Sequence, residues 1–399
     1  MTVTKAQGDN YDVVIVGAAA MGSSTAHFLA ANPDFNGSIL LIERDPSYTF
    51  SATALSSSSI RHQFSTDINI QLSMFGTQFI KSFGEACEVD GQKPDLQFHE
   101  NGYLYLIDEK NKHTLIENHE RQKALGANVA LLEPAQITER FPWLNTDGVA
   151  AGNLGLTGEG WFDSVGLMQG MRSKARANGV ELVKDEVVAL GRSGDKITSV
   201  TLASGRTVNC EVFVNAAGPW ANDICQMAGI SIPVEPRKRC IFVFDCREEM
   251  PEGMPAVIGP TGVFCRPEGK SFLSTIEPHV DPVVDHKDYS VDNYLFEEHI
   301  WADLGEMIPA FEYIKVVQSW AGHYEFNAFD QNGIIGAHAE ISNLYLINGF
   351  SGHGLQQSPG AGRGISELIT YGEFRTLDLT PLSHQRIVNN TPLLENLVI

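Results

Sequence analysis

The stretch that most constrains this chain is residues 11–43, YDVVIVGAAAMGSSTAHFLAANPDFNGSILLIE. Residues 13–16 form a short, β-branched apolar run of the kind that makes a strand buried on both faces. Gly17 ends that run, and residues 18–31 carry helix-forming side chains with apolar positions at helical spacing. Residues 38–42 supply a second β-branched strand, closed by Glu43. A strand, turn, helix and strand in this order seat the ADP half of a dinucleotide, with the diphosphate on the free N–H groups and positive end of the helix. Glu43, about 20 residues beyond the turn, is placed to accept a hydrogen bond from a ribose hydroxyl.

The turn reads G-A-A-A-M-G from Gly17 to Gly22, so Ala19 stands where the strict pattern has its second glycine. That position sets how closely the backbone approaches the diphosphate, and a methyl group is the smallest intrusion. The bland alternative is an ordinary tight βα turn. The two flanking strands and the acidic residue favour a nucleotide site. The unit alone leaves NAD, NADP and FAD open, although Glu43 would repel a 2′-phosphate.

With 399 residues the chain can bury a large core, expected as two domains. A hydrophobic share of 43% and a charged share of 19% are those of a globular protein. The formal net charge of −21 argues against nucleic acid or an anionic membrane as a partner. No apolar run reaches the roughly 18 to 20 residues of a membrane span. The opening MTVTKAQGDN lacks the apolar core of a signal peptide, so the expected location is the cytoplasm. The six cysteines show no C-x-x-C and no metal-type spacing, so no metal site is expected. A Cys240–Cys246 pair is conceivable, but burial as small hydrophobes is the preferred reading.

A loop of small polar residues, SYTFSATALSSSS, occupies residues 47–59 and leads to Ile60-Arg61-His62-Gln63-Phe64. It is either a solvated loop or a segment whose main chain lies along a cofactor, with Arg61 then a buried cation facing substrate. Helical periodicity covers 68–83 and 110–125, and a short helix in 133–144 stops at Pro142. Ser164 is placed to cap a helix running to 177. A small meander (187–190, 197–202, 206–208) precedes a buried strand at 212–214 and the turn Asn215-Ala216-Ala217-Gly218-Pro219-Trp220. Strands of a second sheet are expected at 236–244, 256–258, 263–266, 272–275 and 314–323, with a helix at 299–307. A last strand, 344–347, runs into Asn348-Gly349-Phe350-Ser351-Gly352-His353-Gly354 and a helix from 355 to 369.

That last glycine-rich turn is a second preformed anion site. In a flavoprotein such a helix end can face the part of the ring where negative charge gathers on reduction. One nucleotide unit and one such loop at opposite ends of the chain fit FAD better than NAD.

The amino-terminal unit with Glu43-Arg44, LSSSSIRHQFS, VNAAGPWA and GFSGHGLQQSPGAGR together resemble the D-amino-acid oxidase superfamily of FAD-dependent oxidoreductases. VEPRKR, SWAGHYEFNAFDQNGIIG and GFSGHGLQQSPG look most like its FAD-dependent oxidoreductase domain-containing group. The resemblance implies an α/β fold: a Rossmann-like FAD domain with a mainly antiparallel-sheet substrate domain of α+β type. The expected boundaries are 1–85, 145–230 and 325–399 for the first, and 86–144 and 231–324 for the second. It also implies oxidation of the C–N bond of a small amino acid or N-alkyl amino acid by hydride transfer to flavin N5, giving an imine that hydrolyses.

Carried over by residue, the resemblance implies that Gly17, Ala19, Gly22, Glu43 and Arg44 hold the ADP moiety. Thr53, Ser56, Ser57 and Ser58 would line the diphosphate and the ring. Val187 would meet the adenine, and Ala217, Gly218 and Trp220 would close the cofactor. Gly349, Gly352, His353, Gly354, Leu355 and Gln356 would surround the flavin ring. Some relatives attach flavin through a histidine where this chain has Ser56, or a cysteine near residues 321–324, so non-covalent FAD is expected, with His62 as the residue that could link it. Sarcosine-oxidase-like members use a lysine where Gln356 stands, and their oxygen-activating lysine has no evident match unless Lys270 reaches. Arg61 matches an arginine that pairs with substrate carboxylate, a role its planar fork suits; Tyr324 and Arg266 are its expected helpers. The acceptor is then oxygen, a quinone or an electron-transfer protein. Two rival readings are a flavin-bearing assembly or scaffold protein with little turnover, and a hydroxy-acid or polyol-phosphate dehydrogenase of the same superfamily.

Overall fold

The computed structural model describes residues 8–396. The constraining unit folds as read. Asn10–Val16 (β1), Ala20–Ala31 (α1) and Ile39–Glu43 (β2) form a parallel βαβ unit at the middle of an eight-stranded sheet. Along it the order is 334–337, 344–348, 207–215, β1, β2, 181–184. All of these pairs are parallel except that between 334–337 and 344–348.

Alternation along β1 sends its side chains to two cores. Val13 and Ile15 pack under α1 and the helices Ser164–Ala177 and Gly354–Tyr371. Val14 and Val16 pack against the meander of Val187–Ser193 and Lys196–Leu202, which joins the sheet antiparallel to Thr207–Asn215. The sheet is thus sandwiched between helices and meander.

A second eight-stranded sheet runs 314–327, 234–246, 271–275, 264–268, 256–258, 103–107, 151–155, 129–132. Its pairs are antiparallel apart from 256–258 with 103–107. One face carries a Phe-rich core, including Phe242, Phe244 and Phe311, covered by the helix Trp301–Met307. The other face, with Tyr103, Tyr105, Ile241 and Leu273, turns towards the first sheet's cofactor edge.

Several boundaries differ from the reading of the sequence, each for a local reason. The helix at 164 is capped by Asp163, whose carboxylate accepts the Gly166 N–H at 2.8 Å, so Ser164 is already inside the first turn. Residues 207–208 and 212–214 belong to one nine-residue strand, Thr207–Asn215, and Arg206 lies just before it. The strand Ala151–Gly155, placed by the sequence in a cofactor segment, pairs with Tyr103–Ile107 and Val129–Leu132 in the second sheet. Its residues are all buried and two are glycines, so no alternation marks it. The helix at 299–307 begins instead as a wider π turn, Phe296–Ile300. All six cysteines are free, Cys240 and Cys246 included. Among the described residues no helix is long and apolar enough to cross a membrane, and no cluster of metal-binding side chains forms. Residues 1–7, on which the reading of the amino terminus rests, lie outside the described residues.

Candidate active site

A cavity of about 740 Å³ runs along the carboxyl ends of β1, β2 and Thr207–Asn215, where parallel sheets place their ligands. Gly17 has φ +90°, and a Cβ there would lie 2.3 Å from the Ala216 carbonyl oxygen. A Cβ on Gly22 would meet the Gly17 oxygen at 1.8 Å. Gly22 therefore does not line the cavity; it lets α1 close onto the strand. Ala19 occupies the N-cap with φ −74°, extended backbone that any residue adopts, and has no side-chain oxygen with which to cap the helix. Its methyl is tolerated, and the helix's positive end opens into the cavity. Thr53 Oγ1 accepts the Ala20 N–H at 3.2 Å, bringing the serine loop to the same place.

Glu43 is braced by the N–H groups of Ala18 and Asp45, both at 2.9 Å, with its carboxylate in the cavity wall. Beyond it Arg44 lies 3.8 Å over the Trp220 ring, and Val187, Ala217 and Gly218 complete that end. The segment 285–289 forms the outer wall. His286 stacks on Trp220 (4.9 Å between centroids) and bonds Asp223 at 2.8 Å, while Tyr289 packs on Phe50 and His323. Lys238 ties this strap to Asp288 and Asp292, each at 3.1 Å, and Arg239 binds Asp281 at 2.6 Å. The sequence string VEPRKR held these basic residues, but nothing local showed what they would grip.

A smaller cavity of about 80 Å³ adjoins the first, sharing Ser56, Ser57, Arg239, Tyr324, Gly352 and Leu355 with it. Here Arg61, Tyr324, His353 and Gln356 come together with Tyr103 and Tyr105. The Arg61 backbone N–H donates to Gln356 Oε1 at 2.8 Å, and its guanidinium lies 3.3 Å from His353 Nε2 and over the Phe64 ring. Burial, helped by the Arg61 charge, drops His353 to about 3, so its ring is neutral and can accept from the guanidinium. Arg61 Nε has no partner, and no carboxylate pairs with this buried side chain among the described residues. Beneath it the fully buried Glu159 accepts from His62 N and Gln63 Nε2, both at 2.8 Å, and burial lifts its carboxyl to about 7. Arg239 lies over the Tyr324 ring at 4.9 Å, and burial raises the Tyr324 phenol.

Some expected residues lie elsewhere. Arg266 lines neither cavity: its guanidinium is engaged by the Ser57 and Pro267 carbonyls (2.7 Å each) and by Glu268, so it pins the serine loop. Ser58 is turned away, its hydroxyl bonded to Ser164 at 2.9 Å. Gly349 shapes its turn at φ +79° behind the cavity wall. Gln356 and His353 line only the smaller cavity. His62 also faces away, with Nε2 on Thr77 Oγ1 at 2.8 Å. Lys270 is exposed between the strands 264–268 and 271–275.

The donor set fits a flavin nucleotide. A helix amino terminus whose N-cap residue supplies no capping side chain, with a glycine turn, suits a diphosphate, and the Tyr48 hydroxyl and Glu325 Oε2, on residues of the same wall, have no hydrogen-bond partner within the protein. A mainly parallel nucleotide sheet beside a second, mainly antiparallel sheet, with the cavity lined from both, is the arrangement expected of a flavoprotein oxidoreductase. The chain belongs to the FAD dependent oxidoreductase family, whose profile matches residues 12–368. It is 37% identical to FAD-dependent oxidoreductase domain-containing protein 1 of Xenopus laevis, covering 97% of this chain and 85% of that one. Monomeric sarcosine oxidase of Arthrobacter sp. (strain TE1826) is 23% identical, covering 91% and 93%. Among solved structures, L-proline dehydrogenase from P. horikoshii superposes with a TM-score of 0.85 at 25% identity, covering 97% of this chain and all of that one. The protein is therefore an enzyme, an FAD-dependent oxidoreductase.

Proposed function

We propose that the enzyme oxidises the C–N bond of a small amino acid or N-alkyl amino acid. The observation that carries this reading is Arg61, a buried guanidinium with no carboxylate in ion-pair contact among the described residues, beside the cofactor cavity. An unpaired buried cation is costly, and a bound carboxylate removes that cost. FAD, held by the residues lining the larger cavity, would supply the hydride acceptor for this oxidation, leaving an imine product for water to hydrolyse. Arg61 grips the carboxylate, Gln356 and Glu159 hold the Arg61 backbone segment in place, and Tyr324 walls the passage between the two cavities. The small volume of about 80 Å³ limits the size of the side chain that the substrate can carry.

In this reading residues 1–85, 145–230 and 325–399 carry the cofactor and 86–144 and 231–324 carry the substrate face, with the strand Ala151–Gly155 moved to the latter. FAD is held without a covalent bond, because Ser56 stands in the loop and His62 faces Thr77. Oxygen is a poor acceptor and a quinone or electron-transfer protein takes its place, because Lys270 lines neither cavity. Anaerobic mixing with a panel of amino, N-methylamino and imino acids tests the reading: at least one should bleach the flavin. Bleaching by none of them would discard it in favour of a flavin-bearing scaffold.

A further inference from the structure

Glu325 lies on the strand Ile314–Asn327, directly after Tyr324, with its carboxyl in the wall of the larger cavity. The residue is 8% exposed, and Oε2 has no hydrogen-bond partner. Two cofactor-facing segments close on it. A methyl group built on Gly354, the first residue of the C-terminal helix, would lie 3.3 Å from Oε1, and one on Gly218 would lie 3.9 Å from Oε2. No cation is paired with the carboxyl among the described residues. An ionised carboxylate so placed would be uncompensated and would repel an anionic nucleotide. Protonated, the same group becomes a donor, and FAD presents acceptors along its whole length.

We propose that Glu325 is a cofactor-binding residue that meets FAD as a neutral carboxylic acid, donating a hydrogen bond to it from its carboxyl group. Burial pushes this carboxyl up to about 8, against hydrogen bonding from the Gly349 and Phe350 backbone. On its own strand burial raises Tyr324 and lowers His323. Across the sheet its register partner is Pro236, and the flanking Glu235 and Arg237 pair with each other at 2.6 Å. The 349–354 loop contributes His353, already neutral, and the turn at Gly218 has no ionisable side chain.

Linkage then fixes the sign. The neutral acid binds FAD, so affinity is full below pH 8 and falls up to tenfold per pH unit above it, until the bound form also ionises. The test is FAD release from diluted holoenzyme, followed by flavin fluorescence between pH 6.5 and 9.5. The wild-type Kd should be level to about pH 7.5 and then rise. Glu325→Gln, neutral at every pH and still a donor, should bind tightly with a level profile. Glu325→Leu should also be level but about tenfold weaker at pH 6.5, in line with one lost hydrogen bond of about 1.4 kcal/mol. A level wild-type profile, or a slope that survives in either variant, overturns the proposal. Because the assay contains no amine, its failure would leave the substrate reading untouched.

Discussion

Gln356 Oε1 accepts the backbone N–H of Arg61 at 2.8 Å, joining the first turn of the C-terminal helix to a loop 295 positions earlier in the chain. The bond fixes where the Arg61 guanidinium starts, and the neutral His353 ring, 3.3 Å from Nη2, fixes where it ends. The position of Arg61, the proposed carboxylate grip, is therefore set by the 349–356 segment, which also contributes Gly352, Gly354 and Leu355 to the wall of the cofactor cavity.

Arg61→Met should separate function from stability. Loss of the charged grip should lower kcat/KM for flavin reduction about 10²- to 10³-fold. Removing an unpaired buried charge should at the same time raise ligand-free stability by on the order of 1 kcal/mol. Denaturant unfolding beside stopped-flow reduction checks both. A variant both inactive and strongly destabilised would mean that Arg61 is a structural ion, not a substrate ligand.

Gln356→Ala removes one buried acceptor and leaves the Arg61 N–H unpaired. The expected stability loss is about 1–3 kcal/mol. The kinetic signature is a raised KM with smaller change in kcat, because the grip is displaced rather than deleted. Unchanged KM would show that the segment holds Arg61 without this bond.

The cofactor half was legible because its signals are local. A β-branched run, a glycine at positive φ and an acidic residue at fixed spacing each act over a few residues, and residues 11–43 carry all three. The substrate half was not. Arg239 and Glu325 reach the cavities only through the register of two long strands, in which Arg239 faces Gly322 and Pro236 faces Glu325. Nothing within either strand encodes that pairing. Arg266 failed as a helper for a related reason: its type suits a carboxylate, but the Ser57 carbonyl, 209 residues away in sequence, claims it first.

The departure at Ala19 should matter less than the glycine three positions on. Ala19→Gly should cost about 0.4–1 kcal/mol through unfolded-state entropy and retain FAD, because the alanine backbone is already unstrained. Gly22→Ala forces a methyl onto a backbone oxygen at 1.8 Å, so a loss of about 3 kcal/mol or more and of FAD binding is expected. Thermal melts and bound-flavin absorbance read both. Equal tolerance of the two changes would sink this account of the turn.

The 285–289 strap should govern how long FAD stays bound. Tyr289 contributes its ring to Phe50 and His323, with centroids 4.5 and 4.3 Å away, outside the chemistry. Tyr289→Ala should speed FAD dissociation several-fold while leaving the reduction rate at saturating FAD nearly unchanged. High salt should act in the same direction by screening Asp288 and Asp292, which are 36% exposed, from Lys238. Dissociation indifferent to both changes would show that the strap is not the barrier.

The pH dependence of ligand-free stability follows from buried groups pulling in opposite directions. Burial lowers His27, His62 and His384 to about 4 and His353 to about 3, from an ordinary 6.5. Below pH 6.5 the unfolded chain takes up these protons and the folded one does not, so stability falls on acidification. Burial raises Glu159 to about 7 and Glu325 to about 8, from an ordinary 4.5. Their contribution is whole below pH 4.5 and is lost as pH rises through the folded values. Between pH 5 and 6 these four histidines, joined by His323 and His338, which burial also lowers, outweigh the two acids, so stability climbs with pH; towards pH 8 the acids outweigh the histidines, and it declines. Each net proton is worth about 1.4 kcal/mol per pH unit, so denaturant unfolding at pH 5.5, 7 and 8.5 should show a maximum near 7. His62→Gln should flatten the acid limb, whereas Glu325→Gln should flatten the alkaline limb and steepen the acid one. A maximum at or above pH 8 would mean that the two carboxyls are ionised in the folded chain.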